Sequence, residues 1–99
     1  MIATTILENQ RLIILRSLAE QNDGRMNETM IGRDLDVFGY RLSKDEVRDQ
    51  LRWLEARNAL TITFAGETIM VAEITRRGQD HVDRRGDPLD GVSLPSRRS

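Results

Sequence analysis

With 99 residues, 38% of them hydrophobic and 31% charged, the chain is long enough for one compact domain with a single modest core and too short for two. It has no cysteine, which excludes disulfides, thiolate zinc sites and a cysteine nucleophile, and its formal net charge of −1 lacks the basic excess that usually accompanies binding to nucleic acid. No apolar run reaches the roughly 20 residues that span a bilayer, and the N-terminus has no signal-peptide pattern, so a soluble cytoplasmic protein without membrane contact is expected.

In chain order, residues 4–21 have helical periodicity, with Leu7, Ile14 and Leu18, flanked by Leu15 and Ala19, on one broad face. Ile2, Ile6 and Ile13 form a separate stripe roughly 120° or more from its centre, which a helix buried on one side would not need. They are the candidate homodimer interface, the other reading being cover from the C-terminal segment or the hairpin. Arg11 falls among the core-facing positions, so its stem should lie along apolar surface with its head at the rim. Asn22-Asp23-Gly24 is a turn signal. A second helix follows, capped by Asn27 and favoured by Glu28 at the positive end of its dipole, with Met30, Ile31, Leu35 and Phe38 as the apolar face and Gly39 as its stop.

Residues 43–58, SKDEVRDQLRWLEARN, have the clearest marks of any segment. Ser43 and Glu46 have capping-box spacing, and Leu42 is placed to staple onto Val47. Val47, Leu51 and Leu54 form the seam, and Asn58 tolerates the left-handed geometry that ends a helix. Leu60, Ile62 and Phe64 then alternate with Thr61 and Thr63, Ala65-Gly66-Glu67 supplies a turn, and residues 68–74 return, giving a two-stranded hairpin whose second strand has apolar residues on both sides. Thr75 caps a last short helix over residues 76–85, with Val82 buried and Gly78 allowing close approach to a neighbour. The expected organisation is one domain over residues 1–85 and an irregular, mobile tail over 86–99, from which Leu89, Val92 and Leu94 are available to dock.

The expected fold is therefore α+β: three helices, a two-stranded β-hairpin wing and a short C-terminal helix, the order of a winged helix-turn-helix, in which the third helix enters the major groove. The runs RLIILRSLAEQNDGRMNETMI, FGYRLSKDEVRDQLRWLEARNAL and AEITRRGQD resemble the small winged-helix proteins of Mu-like prophages, which are often labelled ArsR-like transcriptional regulators. The resemblance spans residues 5–95 and implies a winged-helix fold, a phage or prophage origin and a regulatory role. Metal-sensing members of the ArsR group use cysteine-containing or histidine-rich ligand sets. With no cysteine and His81 as the sole histidine, neither a metal nor any other cofactor is expected.

On the DNA reading, Lys44 and Arg48 meet base edges or nearby phosphates, Arg52 meets the backbone, and Arg41, Arg76 and Arg77 add phosphate contacts, with Arg97 and Arg98 as further candidates. Against it, residues 44–57 have zero net charge, and Asp45 and Asp49 are spaced to pair with the arginines of the same face. The turn of the wing holds no basic residue. The alternative is a protein–protein interaction module that meets another phage or host protein without binding DNA. Trp53, beside the seam, closes the edge of the core or anchors a partner. No catalytic constellation is present, and an enzyme is not expected.

Overall fold

The computed structural model describes residues 2–96, with the side chains of Ile2 and Ala3 outside the description, so the Ile2 part of the expected dimer stripe and the Arg97-Arg98 pair lie beyond it. The elements run α1 (Ile2–Ala19), β1 (Arg25–Asn27), α2 (Glu28–Val37), α3 (Lys44–Ala56), β2 (Leu60–Ala65), β3 (Ile69–Ile74) and α4 (Arg76–Val82). This is an α+β architecture of four helices and one antiparallel sheet.

The sheet corrects the expectation of a two-stranded hairpin. It has three strands in the order β1-β3-β2, with Met26 opposite Ala72 and Ile62 opposite Ala72 from the other side. The added strand is produced by the turn before it. Gly24 takes φ +70°, its carbonyl accepts from the Ile74 N–H, and the chain leaves the turn already aligned along β3. Three residues are too few to leave an alternation in the sequence, and this strand is legible only through its partner. On β3 the Met70 and Ala72 side faces the core, both fully buried, while Ile69 is exposed.

The termini of the helices follow their sequence signals. The Ser43 hydroxyl accepts from the Glu46 N–H and the Glu46 carboxylate accepts from the Ser43 N–H, closing a capping box worth about 1 kcal/mol. Asn58 stops α3 at φ +63°. Asn27 caps α2 through the Met30 N–H, and Thr75 caps α4 through the Gly78 N–H. The apolar faces are narrower than expected. Leu7, Met30 and Phe38 are exposed, while Ile14, Leu15, Leu18, Ile31 and Leu35 are fully buried.

Two features tie the C-terminal part to this core. Gly78 sits directly on the carbonyl of Ala59, where α3 gives way to β2. Beyond α4 the chain is irregular, but Leu89 and Val92 are buried in the same core as Leu12 and Leu54. His81, which is buried, holds the segment in place: its Nδ1 accepts from the Leu89 N–H and its Nε2 meets the Ser93 carbonyl at 2.9 Å. The Ser93 N–H in turn donates to the Glu8 carbonyl, and its hydroxyl to Asn9. Val82 is half-buried and Leu94 is exposed.

Candidate nucleic-acid interface

The outer face of α3 is the surface that the sequence nominates, and its residues separate into three groups. Lys44, Arg52 and Arg41 are exposed and make no hydrogen bond or ion pair among the described residues. Lys44 nevertheless lies near enough to Glu28 to help hold its carboxylate charged. Lys44 and Arg41 stand close to the α3 N-terminus, where side chains of a helix laid in a groove reach furthest.

Arg48 behaves differently. Its Nε and Nη2 donate to the two carboxylate oxygens of Glu28 at 2.6 and 2.8 Å, and Nη2 also donates to the Thr68 carbonyl at 2.8 Å. Glu28, only 5% exposed, accepts in addition from the Met70 N–H at 2.8 Å. One carboxylate thus joins the start of α2, the middle of α3 and the start of β3. The two Arg48 hydrogen bonds and the Met70 N–H hold the Glu28 carboxyl down to about 2, against burial, which pushes it up. Arg48 is raised above the usual arginine value, first by the same hydrogen bonds. An arginine spent on a bidentate internal pair is not available to the O6 and N7 of a guanine. The expectation for Arg48 as a base reader therefore gives way to a bracing role. Glu28, read from the sequence as a dipole-favoured helix start, is the group that reasoning missed, and twenty residues of separation left no spacing signal for the pair.

Arg76 and Arg77 start α4, beside the opposite end of α3, where the Thr75 hydroxyl donates to the Asn58 carbonyl at 2.6 Å. The 13 residues of α3 place them about 20 Å from Lys44. They do not join the group around Lys44, and Arg76 also faces Asp80 at 3.4 Å. Asp45 and Asp49 are exposed on the same helix as the free cations and make no ion pair among the described residues. The turn between β2 and β3 is acidic, carrying Glu67, with exposed Phe64 and Ile69 beside it. Of the α1 stripe, Ile6 is 38% exposed, while Ile13 packs partly against the core and lines a groove with Val37 and Phe38, themselves 80% and 63% exposed.

Across the whole length of both chains, the sequence is 35% identical to the uncharacterized protein gp26 of Escherichia phage Mu. The chain belongs to the gp26 family. A second member, an uncharacterized protein of Haemophilus influenzae, is 43% identical over 72 residues, covering 73% of this chain and 70% of that one. No family model and no solved structure matches the sequence. The relationship to gp26 bears out the likeness to Mu-type phage proteins, whereas neither relative carries an ArsR label. No helix among the described residues is long and apolar enough to cross a membrane.

Proposed function

We propose that this member of the gp26 family is a winged-helix protein that binds double-stranded DNA as a dimer and acts as a transcriptional regulator in a phage or prophage, in the host cytoplasm. The observation that carries the reading is the pairing of a capped α3 with Lys44, Arg41 and Arg52 as exposed cations that form no ion pair among the described residues. The order of elements supports it: α2 and α3 make the helix-turn-helix, β2 and β3 the wing, and β1 the short strand that closes the sheet. Three free cations and an acidic wing make each protomer a weak binder. Affinity then depends on two copies engaging together, with Ile6, Val37 and Phe38 as the apolar contacts between them.

Fluorescence anisotropy with a random-sequence duplex at low salt is expected to give a dissociation constant in the micromolar range, rising steeply with salt. Lys44→Ala and Arg52→Ala should each reduce the slope of log affinity against log salt by about 0.9. Absence of binding at tens of micromolar, inside the usual non-specific range, overturns the DNA reading. Light scattering at high protein concentration is expected to return the mass of two chains, and Ile6→Glu to return one. A monomer mass for the unaltered protein removes the dimer.

One observation favours a second reading. With Arg48 withdrawn by Glu28, the exposed charges of α3 are the cations Lys44 and Arg52 and the acids Asp45, Glu46, Asp49 and Glu55, a net acidic surface suited to a protein partner with basic groups.

A further inference from the structure

Between α1 and α3, and closed at one end by the chain connecting α2 to α3, lies a cavity of about 520 Å³. Leu7, Tyr40, Leu42 and Trp53 give it apolar walls, and Gln10, Gln50 and Arg11 supply the polar groups. Arg11 is the unusual member. It is 9% exposed, yet it has no carboxylate within ion-pair distance among the described residues, whereas Arg25, Arg48 and Arg76 each have one. Its Nε donates to the Gln50 side-chain oxygen and its Nη1 to the Gly91 carbonyl, both at 2.9 Å. Gln50 is itself held by Gln10. Nη2 has no hydrogen-bond partner among the described residues.

The group nearest the Arg11 guanidinium across the indole is a second cation, while the acids of the lining, Glu46 and Asp49, make no ion pair with Arg11. The Arg11 guanidinium carbon lies 3.7 Å from the centre of the Trp53 ring, and that of Arg57 lies 3.6 Å from the same centre. Two groups at that height cannot share one face, so the indole is stacked between two cations. Glu8 acts on Arg11 only from beyond ion-pair distance, and burial and Arg57 together lower the Arg11 pKa. Neutral amide and carbonyl oxygens satisfy two of its nitrogens but leave the partly buried charge without a counter-ion, which an anion reaching Nη2 would supply.

We infer that this cavity is a ligand site for a small monocarboxylate with an apolar body, the carboxylate taken by Arg11 with help from Arg41 at the mouth and the body lying among Leu7, Tyr40, Leu42 and Trp53. Arg41 lines the opening and makes no internal pair among the described residues. Glu46 and Asp49 also line it and repel a second negative group, which selects a monoanion over a dicarboxylate or a phosphate ester. Glu46 is engaged at the α3 cap, so Asp49 is the acid that exercises this selection. The cavity volume lies within the range of small-molecule pockets, and a few converging polar groups in an apolar enclosure are their usual construction. The inference does not depend on DNA binding.

Trp53 is the sole tryptophan of the chain and stands in the cavity, so its emission reports occupancy in the absence of DNA. The full chain should be titrated with phenylacetate, hexanoate and benzoate, and with phenylacetamide as the neutral counterpart. At least one carboxylate is expected to give a saturable change with half-saturation below about 10 mM, at least about tenfold tighter than the amide, as follows from a charge-assisted bond to a guanidinium without a counter-ion. Amide shifts in the two-dimensional nitrogen–proton spectrum should centre on Gln10, Arg11 and Gln50. Arg41→Gln, at an exposed position that does not touch the core, should weaken binding several-fold. No saturable response to any of the three acids, an equal response to phenylacetamide, or shifts centred elsewhere would overturn the site.

Discussion

Gly78→Ala is expected to destabilise the protein by about 3 kcal/mol or more, a large fraction of the stability of a domain of this size. A methyl group at this position would stand 2.2 Å from the carbonyl oxygen of Ala59 and 2.9 Å from Cγ1 of Ile74. The first of these is backbone, fixed by the Thr75 N–H that donates to it, so relief requires α4 to lift away from the junction of α3 and β2. That movement would break the Thr75 cap and loosen His81, which holds residues 89–93. The control is Gly32→Ala in α2, whose new methyl group meets only Cγ2 of Val47 at an ordinary 3.9 Å. There the gain in helix propensity should stabilise by about 0.5–1 kcal/mol. Urea unfolding followed by Trp53 emission and by circular dichroism measures both. Near-equal midpoints for the two variants would contradict the close approach of α4 to Ala59.

The second large effect is acid-dependent. The Glu28 carboxyl is held at about 2, well below the ordinary value of 4.5 that it regains on unfolding. A depressed carboxyl contributes stability that is complete above the unfolded value and is lost as pH falls through the folded one. Unfolding free energy should therefore fall between about pH 4.5 and pH 2, by about 3 kcal/mol on account of this residue. Glu28→Gln should lower stability at neutral pH by a similar amount, since it leaves Arg48 without its counter-ion and weakens the bond to Met70. The decisive quantity is the difference between the two proteins. It should shrink towards zero as pH approaches 2, and a difference that stays constant over that window would rule Glu28 out as the acid-sensitive link.

The parts of the fold that were legible in the sequence are those written in local chemistry. Ser43 and Glu46 are three residues apart, Asn58 follows directly on its helix, and the alternation of Leu60, Ile62 and Phe64 needs no distant partner to be seen. What escaped was either very short or joined by tertiary contact. β1 exists because β3 lies beside it. Glu28 looks like any acid at a helix start until α3 and β3 bring Arg48 and Met70 onto it. Arg11 illustrates the boundary: its core-facing stem followed from helical spacing, but its buried head depends on Gln50, Trp53 and Gly91, which are 39 to 80 positions away. For the candidate interface, Lys44, Arg41 and Arg52 kept the exposure expected of them, while Arg48 lost it through a pairing that no periodicity encodes.

The meeting of residues 8–11 with residues 91–93 has a consequence for the order in which the molecule is made. Residues 8–11 precede residues 91–93 by about 80 positions, so α1 leaves the ribosome well before the Ser93 groups that meet Glu8 and Asn9 and the Gly91 carbonyl that engages Arg11. Until then α1, α2 and α3 can pack on one another, but Leu12 and Trp53 lack their last cover and Arg11 lacks one of its two acceptors. These contacts close a loop of about 80 residues, whose chain entropy must be met before the contacts repay it. A nascent chain stopped before Leu89 lacks the Leu89 and Val92 side chains that complete the core cluster containing Leu12 and Leu54.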